Sequence, residues 1–246
     1  MSAAFFDSIA AGYDDLWTHS VVGRLQRAAV WHHIEPLFRD GDRVLDLGCG
    51  TGEDALHLTK RGISVQAIDS SLQMVRIAIS RGVNATQLSL ENLDRLQGVY
   101  DGAISNFGAL NCVERIDLVS DALARLIRPG GHVALCIMGR FCLWETAWYT
   151  LKRKLSKAER RWGGRSFSNS LGMWVHYSSR KQLRNGFAPH FELIGWRGIG
   201  LAVPPSFVEG IPAPIAESLA AVDRYVAHWP GLRALSDHRL AVLVRK

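Results

Sequence analysis

Three glycines alternate with other residues in the segment VLDLGCGTGED, residues 44–54 of a 246-residue chain. Glycine lets a backbone turn tightly and come close to a bound ligand, so this segment is a candidate nucleotide loop. A dinucleotide-binding loop has the spacing G-x-G-x-x-G, but Glu53 occupies the position of its last glycine. Asp46 lies two residues before the first glycine. A pyrophosphate needs N–H donors rather than an acid there, whereas a positively charged ligand tolerates the acid.

A second acid, Asp69, ends the apolar stretch VQAID and lies 21 residues beyond Gly48. If this stretch is the strand that follows the loop, its carboxylate can accept hydrogen bonds from both hydroxyls of a ribose. Alternatively, Asp69 caps the helix that begins near Ser71. S-adenosylmethionine (SAM) contains a ribose, a sulfonium and an ammonium group, and it has no phosphate. A ribose-binding acid such as Asp69 suits both SAM and NAD, but Asp46 and the tight G-x-G-x-G spacing favour SAM.

The elements around these residues alternate between strand and helix patterns. Apolar runs predict strands, and helical spacing of apolar residues, ended twice by glycine, predicts helices. The predicted strands cover 43–47, 64–68, 85–90, 102–106 and 132–138, and the predicted helices cover 51–61, 71–81 and 114–127. This rhythm with short loops indicates an α/β fold with a parallel, doubly wound sheet. Ligands bind at the carboxyl ends of such strands, where the glycine loop and Asp69 would lie.

The flanking segments have a different organisation. Residues 5–38 are predicted to form two helices. After residue 138 the regular alternation ends, and the segment 141–164 is predicted as one helix that becomes strongly basic. A helix at 178–187 and strands at 190–201 and 238–244 follow. The sequence has no evident repeats or linkers, which predicts a single domain.

Four motifs occur in a fixed order: VLDLGCGTG (44–52), AIDSS (67–71), YDGAISNFGALNCV (100–113) and LIRPGGHVAL (126–135). With them, residues 5–138 resemble the class I SAM-dependent methyltransferases of small-molecule type (methyltransferase type 11/25-like). The resemblance implies a Rossmann-like, seven-stranded, mostly parallel sheet with an antiparallel last strand, which 238–244 would supply. It also implies one methyltransferase domain over 1–246. This domain would consist of an N-terminal helical lid (1–40), a SAM-binding core (41–138) and acceptor-side helices, an insertion and the last strands (139–246).

The same resemblance implies a set of SAM-binding residues. Asp46 would hold the SAM amino group directly or through water, Asp69 would bind the ribose, and Tyr13 resembles a lid tyrosine of small-molecule enzymes. Met74 is either an adenine contact or plain core, and Cys49 is expected to be a small loop residue rather than a nucleophile. The family often has an acid before Leu90, where this chain has Ser89. The full predicted set is Tyr13, Asp46, Gly48, Cys49, Gly50, Gly52, Asp69, Ser70, Met74, Leu90, Glu91, Asn106 and Phe107.

Two residues are candidates for catalysis. Methyl transfer from a sulfonium is an in-line displacement, and it needs a general base only if the acceptor must lose a proton. His176, in the segment MWVHYSS, is the first candidate base, with a solvent-facing or structural histidine as the alternative. Glu145, in CLWETAW, is either a charge on a helix face or a group that faces the acceptor.

The sequence narrows the class of acceptor by what it lacks. The turn SNFG (105–108) replaces the N/D-P-P-Y-like turn of base and amide methylases, and no Cys/His spacing predicts a metal site. The leading interpretation is therefore transfer from SAM to a small molecule, leaving S-adenosylhomocysteine (SAH). An RNA or other macromolecule methyltransferase, a SAM-binding protein without transferase activity and, more remotely, a dehydrogenase stay open. Aromatic residues of the C-terminal half are expected to wall the acceptor pocket: Trp144, Trp148, Trp162, Trp174 and Phe207.

Composition suggests a cytoplasmic protein. The four cysteines form no C-x-x-C pair, and the N-terminus has neither a basic nor an apolar signal region. The formal charge of +6 favours an acidic partner without demonstrating nucleic-acid binding. The basic run 152–161 is either a solvated helix face, a grip for an acidic substrate or RNA, or a contact with an anionic membrane. The sequence indicates no oligomeric state.

Overall fold

The computed structural model describes residues 2–208 and 210–246. Its strands are β1 (Arg43–Leu47), β2 (Ser64–Asp69), β3 (Ala85–Gln87), β4 (Tyr100–Ser105), β5 (Ile127–Met138), β6 (Arg165–Ser168), β7 (Met173–His176), β8 (Phe191–Ile199) and β9 (His238–Arg245). Its α-helices are α1 (Ser2–Tyr13), α2 (Val21–Ile34), α3 (Glu53–Thr59), α4 (Leu72–Ser80), α5 (Ile116–Leu126), α6 (Leu143–Leu151), α7 (Leu155–Ala158), α8 (Arg180–Phe187) and α9 (Ala213–Val226).

Seven of the strands form one sheet in the order β3-β2-β1-β4-β5-β9-β8. Strands β1 to β5 pair in parallel, and β9 lies antiparallel between β5 and β8. The sheet order reverses beside β1, so the end of this strand borders the crevice in which open α/β sheets bind ligands. The predicted fold class, a seven-stranded mostly parallel sheet with an antiparallel last strand, is confirmed.

The sheet is buried on both faces, as a parallel sheet between helices must be. Side chains along a strand alternate between the faces. Leu45 and Leu47 of β1 therefore belong to a core with residues of α5 and α8, whereas Val44 packs in a second core with Val30 and Ile34 of α2. Asp46 points to the second face, which explains how an acid comes to be buried behind the glycine loop.

The predicted strand 85–90 is too long. Strand β3 ends at Gln87, and a 3-10 helix spans Leu90–Arg95. Leu88, Ser89 and Leu90, which follow β3, line a cavity at the end of the sheet. The predicted strands at 43–47, 64–68, 132–138 and 238–244 all lie within observed strands.

The predicted basic helix over 141–164 is wrong. Helix α6 ends at Leu151, Arg153 adopts a left-handed φ of 55°, and α7 has only 4 residues. In one continuous helix, Glu145 and Arg160 would lie about 22 Å apart along the axis, at 1.5 Å per residue. The break lets the chain fold back, so that both Arg160 and Arg161 contact Glu145. The hairpin β6–β7, which the sequence did not predict, follows directly.

In the part of the chain that the structure describes, no helix combines the length and the hydrophobicity that crossing a membrane requires.

Candidate ligand-binding site

A cavity opens at the carboxyl ends of β1, β2 and β4, and α1 lies against it. Ten of the residues predicted to bind the cofactor line this cavity: Tyr13, Gly48, Gly50, Asp69, Ser70, Met74, Leu90, Glu91, Asn106 and Phe107. Asp46, Cys49 and Gly52 do not line it. The structure therefore gathers most of the predicted set around one space, at the edge of the sheet where ligands bind in this class of fold.

The glycine loop has a fixed shape that requires glycine. Gly48 has a φ of 77°, and a Cβ at this position would lie 2.2 Å from the Cβ of Ala109. The backbone N–H groups of Gly48 and Cys49 both donate to the carbonyl oxygen of Ile68, at 2.8 and 2.9 Å. These bonds tie the loop to the end of β2 and leave a bare backbone facing the cavity.

Asp69 links this loop to the start of α4. Its Oδ2 accepts a hydrogen bond from Gly50 N, and its Oδ1 accepts one from Ser71 N, both at 2.9 Å. The N-cap of α4 is Ser71, whose hydroxyl accepts a hydrogen bond from Met74 N. The alternative that Asp69 is the N-cap of this helix is therefore wrong. Burial raises the pKa of Asp69, and backbone N–H groups oppose this shift. Each carboxylate oxygen has a second lone pair, which can accept a hydroxyl of a ligand in the cavity.

Asp46 lies behind the loop rather than in the cavity. It is 1% exposed, and its Oδ2 has no hydrogen-bond partner among the described residues. Burial and the negative charge of Asp54 raise its pKa well above the usual range, and Arg27 opposes the shift. The prediction that Asp46 touches the ligand directly is therefore not supported by its position. Cys49 is also buried, and burial raises the pKa of its thiol, as expected of a loop residue that is not a nucleophile.

Asn106 and Phe107 form the floor of the cavity at the end of β4. Asn106 is 7% exposed, and neither atom of its side-chain amide has a hydrogen-bond partner among the described residues. A buried amide left without a partner costs about 1–3 kcal/mol per group, so this residue needs polar atoms from a ligand or from water. Phe107 has a φ of 54°, which is rare for a residue with a side chain and typical of functional sites.

The opposite wall of the cavity is suited to a flat apolar ring. Met74 is 1% exposed and Leu90 is 9% exposed, and both line the cavity. Met74 is thus a core residue and a cavity residue at once, which reconciles the two alternatives for it. Ser89 stands where related proteins often have an acid. Its hydroxyl accepts a hydrogen bond from Asn92 Nδ2 at 2.8 Å.

Two carboxylates of the N-terminal segment hydrogen-bond to residues at the rim of the cavity. Asp7 accepts from the Ser71 hydroxyl at 2.6 Å, and Asp14 accepts from the Thr51 hydroxyl at 2.6 Å. Arg81 pairs with Asp14 at 3.3 Å and donates to the Thr51 carbonyl at 3.1 Å. These bonds join α1 and the turn after it to the glycine loop and to α4, so the segment lies against the cavity.

Tyr13, the last residue of α1, lies close to Gly50 of the glycine loop, and it also lines the cavity. Burial raises the pKa of Tyr13 to about 12, so the phenol is protonated at neutral pH. The ring therefore supplies apolar contact and a hydrogen-bond donor, and it does not act as a base.

Replacing Tyr13 with alanine is expected to weaken nucleotide binding about ten- to a hundredfold. The reason is that burying an aromatic side chain against a ligand contributes about 1.5–3 kcal/mol. Tyr13→Phe keeps the ring, and its affinity should stay within about threefold of the unchanged protein. Calorimetric titration of both variants with SAH provides the comparison. Equal losses in the two variants would mean that the hydroxyl, and not the ring, makes the contact.

The other end of the cavity is apolar. Its lining there consists of Ala109, Cys112, Val113, Met138, Leu171 and Val175. Within the described residues, the ionisable side chains of the whole cavity are Tyr13, Asp69, Glu91 and Cys112. Burial raises the pKa of Cys112 to about 11, so this thiol is not a base at neutral pH. No imidazole lines the cavity in residues 2–208 and 210–246.

Neither predicted catalytic residue lines the cavity. His176 follows Val175 in β7, and successive side chains of a strand point to opposite sides. Glu145 is 1% exposed and is held by Arg160 at 2.7 Å and Arg161 at 2.6 Å. Glu145 therefore has the role of an internal counter-ion, which joins α6 to the segment after α7. The predicted aromatic wall of Trp144, Trp148, Trp162, Trp174 and Phe207 does not line the cavity either.

The sequence analysis missed several lining residues for two different reasons. Cys112 and Val113 lie inside the quoted motif of residues 100–113, and their position after β4 was a usable signal. Leu171 and Val175 lie on a hairpin that the sequence did not predict. This hairpin is held by Asn111, whose Nδ2 donates to the His176 carbonyl at 2.6 Å.

The basic run 152–161 separates into two parts. Lys152, Arg153, Lys154 and Lys157 are exposed, whereas Arg161 is buried. Leu151 and Leu155, which flank these cations, are 80% and 57% exposed. Within residues 2–208 and 210–246, no cluster of His, Cys, Asp and Glu is suited to hold a metal ion.

The sequence of this chain matches a known protein family. A methyltransferase domain profile matches residues 21–189. A demethylmenaquinone methyltransferase of Clavibacter sepedonicus is 31% identical over 54% of this chain and 56% of its own length. A ubiquinone biosynthesis O-methyltransferase of Alkalilimnicola ehrlichii is 32% identical over 44% of this chain and 51% of its own. The chain thus matches about half the length of these curated relatives.

The fold is also found among solved structures. The 1,6-didemethyltoxoflavin-N1-methyltransferase of Burkholderia thailandensis, with its substrate and SAH bound, superposes with a TM-score of 0.57 at 18% identity. The match covers 99% of this chain and 86% of that one. At this identity the comparison shows that the two chains share a fold.

Proposed function

The chain belongs to the class I SAM-dependent methyltransferase family, and on this premise we propose that it transfers the methyl group of SAM to a small-molecule acceptor. The observation that carries the proposal is the position of Asp69. Its carboxylate lines the cavity at the end of β2 and is held by the backbone of the glycine loop. A carboxylate so placed suits the two ribose hydroxyls of SAM, and SAH would be the product.

The residues present fit SAM along the whole cavity. Asp69 would bind the ribose, Met74 and Leu90 would flank the adenine, and the backbone at Gly48 and Gly50 would approach the methionine part. The unpaired amide of Asn106 would meet polar atoms of the methionine part or of the acceptor. Glu53 supports SAM over NAD, because it occupies the last glycine position of the dinucleotide pattern and pairs with Arg81.

The chemistry that the site supports is displacement without an enzymic base. Bound SAM supplies a methyl group activated by its sulfonium. The lid and the apolar end of the cavity exclude water and hold the acceptor in line with the methyl group. Among the described residues neither His176 nor Glu145 lines the cavity, and Asp69 is assigned to the ribose, so we expect the acceptor atom to arrive as a free nucleophile with no proton to lose.

The direct test is transfer of radiolabelled methyl from SAM to cell extracts divided into low-molecular-mass and RNA fractions. We expect label in the low-molecular-mass fraction. Label confined to RNA would support the macromolecule alternative, and tight SAM binding with label in neither fraction would support a binding protein without transferase activity. Either of these results would contradict the proposal.

The variant His176→Ala is expected to keep its methyl-transfer rate within about threefold of the unchanged protein. His176 does not line the cavity, and a general base typically contributes about 10²–10⁴-fold to the rate. The rate of SAH formation with saturating SAM and the labelled fraction as acceptor measures the effect. A hundredfold loss in a folded His176→Ala protein would restore His176 as the base.

We further propose that the methyl acceptor is an apolar molecule. The acceptor end of the cavity consists of aliphatic and sulfur-containing side chains, and two relatives carry names that refer to quinones. The exposed Leu151 and Leu155 among four exposed cations support contact with an anionic membrane, from which such an acceptor could be taken.

The double variant Lys152→Gln, Lys154→Gln is expected to weaken binding to phosphatidylglycerol vesicles at least about tenfold, since each cation near an anionic surface contributes about 1 kcal/mol. Co-sedimentation with these vesicles, and with neutral phosphatidylcholine vesicles, provides the measurement. Lys181→Gln, on the exposed side of α8, is the matched control and should bind normally. Equal binding to both lipids, or no binding, would contradict contact with an anionic membrane through these lysines.

A further inference from the structure

A second cavity lies between α2 and α9, against the end of β8. It shares no lining residue with the cavity that contains Asp69. Several small residues line it, among them Ala28 and Ala29 on α2 and Ala220 on α9. Walls of this kind leave a narrow apolar slot between the two helices, of the sort that accepts the body of a small molecule.

The inner end of the slot contains a buried amide without a partner. Gln26 lines the slot, is 1% exposed, and neither its Oε1 nor its Nε2 has a hydrogen-bond partner among the described residues. A Cβ at Gly200 would lie 2.5 Å from Gln26 Nε2, so the glycine makes room for the amide. The carbonyl of Gly200 already accepts from Asp237 N at 2.9 Å. An unpaired amide in such a place is costly, and a ligand in the slot can satisfy both of its atoms.

The charges around the slot favour an anion at its mouth. Asp223 lines the slot, but its carboxylate is occupied by the backbone N–H groups of residues 201, 202 and 203, at 3.2, 2.7 and 3.1 Å. Arg224 is exposed, lines the slot and forms no ion pair with residues 2–208 or 210–246. Burial lowers the pKa of His33 to about 4, so this imidazole is neutral near pH 7. Arg224 is therefore the arginine that lines the slot and can pair with an anionic ligand.

We propose that this slot is a second ligand-binding site, separate from the proposed methyl-transfer site, and that it binds a small amphipathic carboxylate. The apolar body of the ligand lies between α2 and α9, a hydroxyl or carbonyl group bonds to the Gln26 amide, and the carboxylate faces Arg224. The slot and the first cavity share no lining residue, so ligand binding in the slot does not require that the protein be a methyltransferase.

The test uses 6-hydroxy-2-naphthoate, which has an aromatic body, a hydroxyl and a carboxylate. Calorimetric titration of the full chain, with and without saturating SAH, should show one site with the same submillimolar affinity in both cases. Gln26→Leu should weaken binding of this probe about three- to tenfold and leave binding of 2-naphthoate, which lacks the hydroxyl, unchanged. Arg224→Gln should weaken both acids about three- to tenfold and leave the neutral 6-hydroxy-2-naphthamide unchanged.

Arg184→Gln, on the exposed side of α8, is the control for loss of a surface charge and should not alter binding of the probe. Displacement of the probe by SAH, absence of probe binding, or equal affinity of all the variants would overturn the proposal. The melting temperature supplies a second readout. Gln26→Leu removes an unpaired buried amide and should melt at the same or a higher temperature. A clear fall would show that the amide already has a structural partner, and it would overturn the proposal as well.

Discussion

Replacement of Asp69 by alanine is expected to weaken the binding of SAM and SAH at least about a hundredfold. A hydrogen bond to a charged group contributes about 1.5–3 kcal/mol, and Asp69 is placed to accept one from each ribose hydroxyl. The variant also removes the acceptor for Gly50 N, which holds the glycine loop at 2.9 Å from Asp69 Oδ2. Calorimetric titration of Asp69→Ala with SAH measures the loss.

The controls for this variant separate binding from folding. Asp94 is an exposed acid on the 3-10 helix after β3, and Asp94→Ala should bind SAH as the unchanged protein does. Asp69 is half-buried and its pKa is raised, so removing its charge should not unfold the protein, and the circular dichroism spectrum should be retained. Unchanged SAH affinity in a folded Asp69→Ala protein would contradict the assignment of the ribose site.

Replacement of Arg161 by methionine is expected to lower the free energy of unfolding by about 3–5 kcal/mol, as removal of one partner from a buried ion pair does. The side chain of Arg161 is 5% exposed and contacts Glu145 at 2.6 Å and Asp237 at 3.0 Å. Burial alone would raise the pKa of Asp237, but His238 and Arg161 outweigh it and hold the pKa below its usual range. Without Arg161, two buried carboxylates lose a shared counter-ion. Urea unfolding measures the change.

The neighbouring arginine provides a matched control. Arg160 also pairs with Glu145, at 2.7 Å, but its side chain is 40% exposed. A pair that reaches solvent contributes less than about 1 kcal/mol, so Arg160→Met should be close to the unchanged protein in stability. Equal small effects of the two variants would show that the Glu145 cluster does not stabilise the fold, and would reopen a role for Glu145 in chemistry.

Local patterns were sufficient to predict the part of the fold that holds the candidate cofactor site. The strands that contain Asp46 and Asp69 are mostly apolar, and the glycines between them indicate a loop. At Gly48 this loop leaves no room for a side chain. Both features depend on residues close together in sequence. Most of the residues predicted to bind the cofactor therefore line the cavity; the exceptions are Asp46, Cys49 and Gly52.

Long-range contacts decide the parts that the sequence did not predict. The break after α6 depends on Arg160 and Arg161 reaching back to Glu145, and no local pattern encodes this pairing. The hairpin that supplies Leu171 and Val175 depends on Asn111, which bonds to main-chain atoms of both Met138 and His176. The burial of Asp46 behind the loop likewise follows from the face of β1 on which it lies. Leu171 and Val175 could therefore be found only from the folded chain.

The most direct test of the central claim is a calorimetric titration of the purified chain with SAM, SAH and NAD in parallel. The account predicts micromolar binding of SAM and SAH, with one site per chain and no detectable binding of NAD. Binding of NAD in place of the two adenosyl ligands, or binding of none of the three, would contradict it.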